Sequence, residues 1–195
     1  MIKLIMVKEI LQIGNPVLEK KTTDIADFKS NELKQLVNNL VDTADANKII
    51  TAGLAAPQIG SLLSVCVCRR IDLETDENIT VGKHDLWEVM INPKITHLSD
   101  KKSNYWEGCL SIGIGGDSLF GPVERPNYVI ITYNNLKGEV KHLIGRDFLA
   151  HEIQHEMDHL KGILFIKYIQ DPKNIWRRNA LDKYYDEYGD YPPII

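Results

Sequence analysis

The chain has no apolar run approaching the roughly 18 residues that span a bilayer, so a helical membrane span is excluded. No secretory leader is expected at the start: "MIKLIMVKEILQIG" is broken by Lys3, Lys8 and Glu9 and lacks the apolar stretch and small-residue cleavage site of a secretory signal. Cysteine is scarce. There are three, an odd number, and Cys66 and Cys68 stand too close to pair comfortably. A disulfide framework is thereby excluded, and a reducing compartment, the cytoplasm, is expected. Positive charge is not in excess: 23 Lys and Arg against 27 Asp and Glu leave a net charge of −4, which argues against a broad nucleic-acid footprint. Repeats and low-complexity linkers are missing too, and 195 residues suit one domain with its own core.

What is present is a set of short strands with helices at particular places. Leu33, Leu36, Val37, Leu40, Val41 and Ala44 recur at helical spacing behind Ser30, a good N-cap, and predict a helix over about 31–47. "SLLSVCVCRR" predicts a strand with Cys66 and Cys68 on one face as core residues. Residues 72–85 are polar and predict a surface loop. "LWEVMINPKITHLS" predicts a strand that ends near Asn92-Pro93 and resumes, and "YVIITY" and "EVKHLI" flank a turn as a hairpin. "GIGGDSLFGP" predicts the most flexible segment. A second helix is expected from about Arg146 to Leu160, with Gly162 as its stop. A strand in "GILFIKYI" follows, then a final helix from Asp171-Pro172 to Tyr188 and an irregular end. The fold class expected is α+β, one domain over 1–195, with antiparallel or mixed sheets around a central helix.

That central helix carries "HEIQHEMDH", residues 151–159, in which H-E-x-x-H occurs in two overlapping frames. Histidines four apart share a helix face and can reach one ion, and the Glu after the first His lies near a water on that ion. One frame uses His151, Glu152 and His155, the other His155, Glu156 and His159. A catalytic centre wants a third protein ligand and an open position. The third His of the metzincin pattern is missing from both frames: Phe165 stands at its place in the second frame and Lys161 in the first. Two candidates for the third ligand remain. Glu187 lies in the polar tail, and Cys109 lies in "EGCLS" at the end of a predicted strand beside Gly108.

"GLAAPQIG" (53–60), "EGCLS" (107–111) and "QHEMDHLKG" (154–162) resemble, in order, the three signature motifs of the peptide deformylases. "ILQIGNPVL" near the start, "INPKI" at 91–95 and "GILF" at 162–165 extend the resemblance over about residues 9–168. It implies the second frame, with Cys109, His155 and His159 binding one divalent ion, usually Fe2+, which Zn2+, Ni2+ or Co2+ can replace. It implies that Glu156 is the general base and that the Gln58 amide and the Leu110 backbone N–H donate to the substrate's formyl oxygen. Gly53 and Gly108 are expected to let an extended peptide approach the backbone, and Glu107 to brace the metal loop through an ion pair with Arg125. The implied activity removes the N-formyl group from the initiator methionine of nascent chains and releases formate. The implied partners are an N-formylmethionyl nascent peptide and the ribosome that presents it, with no direct nucleic-acid binding and no membrane. Two other readings compete: a metallo-amidase or metallopeptidase with other substrates, and a deformylase-like protein that binds metal or peptide without turnover.

The sequence departs from the family pattern in places. Thr51 stands where the first motif usually begins with Gly, a costly replacement if that position needs φ > 0. The 112–124 loop is longer than usual and glycine-rich. Glu152 replaces an apolar residue and is expected to point to solvent, as is His151. In the tail, Trp176, Leu181 and Tyr184 or Tyr185 recur at roughly helical spacing; core packing and a partner surface both fit, and core packing is expected.

Overall fold

A computed structural model describes residues 6–47, 51–74 and 86–195. Ser30 opens helix α1 (Asn31–Ala46), its hydroxyl oxygen accepting the Leu33 N–H at 3.2 Å; such a cap is worth about 1 kcal/mol. Strands β1 (Gly53–Ala55) and β2 (Val65–Arg69) follow, then a single helical turn, α2 (Ile71–Glu74). Of the loop expected at 72–85, residues 75–85 lie outside the described residues, as do residues 1–5 of the N-terminal stretch. Strand β3 (Trp87–Leu98) leads to β4 (Lys102–Gly108), β5 (Leu119–Pro126), β6 (Tyr128–Asn134) and β7 (Val140–Arg146). Helix α3 (Asp147–His159), the two-residue β8 (Trp176–Arg177) and helix α4 (Arg178–Tyr188) complete the chain.

The strands form two antiparallel sheets, one of five in the order β1-β2-β3-β6-β7 and one of three in the order β4-β5-β8. Alternation along β2 decides what covers the larger sheet. Val65 and Val67 pack with the apolar face of α1, while Cys66 and Cys68 pack on the other side with Leu149, Ile153 and Met157 of α3. Each such side chain, fully buried, stabilises the fold by about 1.5–3 kcal/mol. The helix with the metal-type motif is therefore one wall of the core, and its position is fixed before any chemistry is considered. It starts directly after β7, at Asp147 (φ 49), whose N–H donates to Asn127 O at 2.7 Å. Beyond its end Gly162 takes φ 73, the left-handed conformation of a helix stop.

Several expectations are corrected. The interruption at Asn92-Pro93 is a bulge inside a continuous β3: Asn92 has φ 51, and the register with β6 shifts between Ile91 and Lys94. "GILFIKYI" is not a strand. Phe165–Tyr168 is a 3-10 turn that drives Phe165 into a small cluster with Cys109, Ile112 and Val123. A short apolar run does not distinguish these outcomes. The tail is not one helix from 171: Pro172–Asn174 is a 3-10 turn, β8 then pairs Trp176 with Phe120 of β5, and only afterwards does α4 begin. Nor is "GIGGDSLFGP" loop throughout, since Leu119–Pro126 is strand β5. Among the described residues, Thr51 is not one of the non-glycine residues with positive φ, so its replacement of Gly costs no backbone strain there.

Candidate active site

The site forms where β4 runs out against α3. The end of β4 delivers Glu107 and Gly108, and Cys109 follows at once. α3 presents His155, Glu156 and His159 on the facing side, and the 3-10 turn Ala56–Ile59 brings Gln58. Ligand-type atoms of Cys109, His155 and His159 lie within 4.8 Å of one another, with Cys109 Sγ 3.3 Å from His159 Nε2. This donor set, one sulfur and two imidazoles at a cavity wall, matches the protein share of a tetrahedral catalytic site with one position left open. The residues present therefore fit a divalent ion. Cys66 and Cys68 are wholly buried in the core, apart from this group.

A buried charge network holds the group in place. Arg125 donates through Nε to Glu107 Oε1 at 2.6 Å, through Nη2 to Glu107 Oε2 at 3.0 Å, and through Nη1 to Asp158 Oδ2 at 2.7 Å. Glu107 Oε2 also lies 2.9 Å from His155 Nδ1, which orients that ring and leaves its other nitrogen for the cluster. Burial alone would raise the Glu107 carboxyl, but hydrogen bonds from His151, His155 and Arg125 outweigh it and hold the group well below the usual carboxylate range. Glu156 is the opposite case. Burial pushes its carboxyl up to about 7, and its Oε2 has no hydrogen-bond partner among the described residues. Burial, with the nearby His155 and Arg125 charges, lowers His159. The arrangement offers a poised proton acceptor beside a cluster of soft and borderline donors.

Gln58 is buried. Its Oε1 accepts the Ala55 N–H at 2.8 Å, while Nε2 points at Cys109 Sγ (3.5 Å) and Ser111 Oγ (3.3 Å). The Leu110 carbonyl accepts from Gln12 Nε2 at 2.9 Å, tethering the segment that follows the cysteine. The two glycines serve packing of the site itself. A Cβ on Gly53 would meet Glu156 Oε1 at 2.5 Å, and a Cβ on Gly108 would collide with the Phe120 ring.

The first frame of the double motif does not form a metal group, and its two special residues are not solvated. His151 is 2% exposed; its Nδ1 faces Glu107 Oε1 at 3.3 Å and its Nε2 the Ser103 carbonyl at 2.9 Å. Glu152 is 6% exposed, and its Oε1 accepts the Arg69 N–H at 3.0 Å. Both residues precede His155 by about one turn of a helix that is itself a core wall, so the face that looked free in sequence is covered by β2 and β4. Glu187 belongs to α4 and is not in the group. A cavity of about 600 Å³ opens over the cluster, walled by Gly53, Tyr105, Gly108, Phe148 and Glu152 among others.

The residues matched by a family model are 7–174, and that model describes polypeptide deformylase. This chain belongs to the peptide deformylase family. It is 35% identical over 158 residues to a peptide deformylase of Finegoldia magna, covering 81% of this chain and 86% of that one. It is 40% identical over 155 residues to one of Wolbachia pipientis, covering 78% and 80%. A Met-Ala-Ser-bound class I type b peptide deformylase of Acinetobacter baumannii superimposes with TM-score 0.71 at 28% identity, over 85% of this chain and 100% of the other. The deformylase of Ehrlichia chaffeensis in complex with actinonin gives TM-score 0.72 at 27% identity, over 95% and 99%. Deformylase activity, removal of the N-formyl group from nascent peptides, follows from this membership, and the family implies a divalent metal. Asp158, Tyr168 and Phe120 escaped sequence reasoning. The one signal for Asp158 was an acid inside the motif helix that no frame used; Tyr168, which donates to Asp158 Oδ2 at 2.9 Å, left none.

Proposed function

We propose that this chain deformylates N-formylmethionyl nascent peptides with Cys109, His155 and His159 as the protein ligands of one divalent ion and Glu156 as general base. The observation that carries the assignment is the convergence of these three donors beside a buried Glu156 whose carboxyl is shifted toward neutrality. Fe2+ is the ion proposed, with Zn2+, Ni2+ or Co2+ able to replace it, because one thiolate and two imidazoles suit this set. When bound, such an ion supplies Lewis acidity, making water a stronger acid and polarising a carbonyl.

Glu156 accepts a proton from the attacking water and later returns it to the departing amine, the double duty of a carboxyl poised near neutrality. Negative charge develops on the formyl oxygen, and Gln58 Nε2 and the Leu110 backbone N–H donate to it. Gln58 is pre-aimed, since its Oε1 is already fixed by Ala55. Gly53 and Gly108 flank the cavity and leave its walls low enough for an extended peptide. Glu107 and Arg125 hold the His155 ring in register and touch no substrate. The whole of 1–195, with α4 and its tail, is proposed to act as one domain. The setting proposed is the cytoplasm, in keeping with three free cysteines, with the substrate presented at the ribosome.

The test is formate release from formyl-Met-Ala-Ser by protein purified anaerobically with Fe2+ or Ni2+. Turnover lost in E156Q, with bound metal retained, is expected. Intact metallated protein that releases no formate would end the proposal, and cleavage of unformylated peptide bonds would favour a metallopeptidase.

A further inference from the structure

Three residues of the cavity wall lie past residue 174, where the family match ends: Arg178, Asn179 and Asp182, all on the first turns of α4. The fold carries them there by way of Gly108. Phe120 pairs with Gly108 across β4 and β5 and sets its ring against that glycine, and Trp176 of β8 pairs with Phe120 in turn. β8 runs straight into α4, whose first residue is tied down: the Arg178 N–H donates to the Ser118 carbonyl at 2.8 Å. The Arg178 guanidinium then stands over the Phe120 ring, 5.4 Å from its centre. Gly108, Phe120 and Arg178 therefore follow one another along one side of the cavity. Extended chain advances about 3.3 Å per residue. A peptide whose formyl group lies against Glu156, and which pairs strand-like beside Gly108, passes the guanidinium with its second and third residues.

The state of Arg178 fits it for that contact. Both Asp182 carboxylate oxygens, one helical turn on, accept from its Nε at 2.7 Å. Nη1 and Nη2 have no hydrogen-bond partner among the described residues. A guanidinium already held at one edge and seated on an aromatic ring loses little freedom when its remaining donors are used. Asp182 repels a substrate acid and draws a substrate base, while Arg178 does the reverse, so the pair favours neither sign of side chain. Carbonyl oxygens, one for every residue of any peptide, are acceptors that avoid this conflict.

We propose that Arg178 is a main-chain clamp: its Nη groups donate to the carbonyl oxygens of the substrate's second and third residues, so that this chain reads the length of the peptide there and not its side chains. The proposal rests on the deformylase reading above. Asp182 and Phe120 act through Arg178, holding the guanidinium at the cavity side.

The test compares formyl-Met-amide with formyl-Met-Ala-Ser-amide on metal-loaded wild-type protein and R178M. The Arg178 side chain is 45% exposed, so the variant is expected to fold. Calorimetric titration with the products, methionine amide and Met-Ala-Ser-amide, runs beside it. R178M is expected to lower kcat/KM for the longer substrate by about 5–10-fold, the low end for a bond to a charged group because the guanidinium is half exposed. The loss should lie in KM with kcat unchanged, as for binding made equally in ground and transition states, and formyl-Met-amide should stay within about 2-fold of wild type. Affinity for Met-Ala-Ser-amide should fall in the same ratio. Equal losses on both substrates, a loss confined to kcat, or no loss on either overturns the proposal. So does a wild-type preference above about 10-fold between Asp and Lys as third residue, which would show that side chains are what the pair meets. Absence of formate from both substrates defeats the deformylase reading instead; the product titrations then still decide the role of Arg178.

Discussion

Gly53 lies in β1 against the carboxyl proposed as the general base, and Gly53→Ala is the sharpest probe of that contact. The added Cβ would stand 2.5 Å from Glu156 Oε1, 2.6 Å from its Cγ and 2.7 Å from its Cδ, where ordinary contact begins at 3.4 Å. β1 is paired with β2 and cannot yield, so the Glu156 side chain must retreat by roughly 0.9 Å; misplacement of about 1 Å costs on the order of 100-fold in rate. The stability cost is smaller, about 1–3 kcal/mol for an overpacked methyl. The measurement is kcat for formate release alongside bound metal per chain and the urea midpoint. The expected result is a kcat lower by about 100-fold with metal content unchanged, since no donor atom of the cluster is touched. A G53A protein whose kcat stays within about 3-fold of wild type would refute the reasoning that Glu156 must occupy this spot.

Three further outcomes are expected. R125M removes the guanidinium that joins Glu107 to Asp158, leaving Glu107 with His151 and His155 and Asp158 with Lys161 and Tyr168; the loss should be about 3–5 kcal/mol by urea unfolding, and a loss under about 1 kcal/mol would mean the network is not stabilising. E156Q should lower kcat by about 10²–10⁴ while metal content by elemental analysis stays at the wild-type level. Chelation should lower the melting temperature, because an ion bound only to the native chain at 100 times its Kd adds about 2.7 kcal/mol; a melting curve indifferent to metal would place the ion elsewhere or nowhere.

The legible parts of this molecule were those where local chemistry and tertiary context agree. Ser30 and the leucines behind it gave α1 because cap, spacing and burial all point one way. Cys66 and Cys68 read as one buried face of a strand, and they are. The expected Glu107–Arg125 pair is present. The misreadings were of a different kind. His151 and Glu152 looked solvated because polar residues on a helix usually are; what buries them is β2 and β4, brought in from residues far along the chain. Phe165 sits in a run whose β-branched neighbours favour a strand, yet its own contacts with Ile112 and Val123 bend the segment into a turn. Trp176 pairs with Phe120, a partner far back along the chain that no local pattern encodes. The function stood out early for a related reason: the cluster needs particular atoms, so its residues are written into short motifs, whereas the packing around it can be met by many sequences.

The burial of the three thiols has a practical use. Cys66 and Cys68 are sealed at 0% exposure, while Cys109 is 7% exposed at the edge of the cavity. A mild alkylating reagent applied to the folded protein should find one sulfur per molecule, and should find it only where no ion is already holding it. The fraction of chains labelled then gives a direct count of empty centres in any preparation, without a substrate and without an assay of turnover.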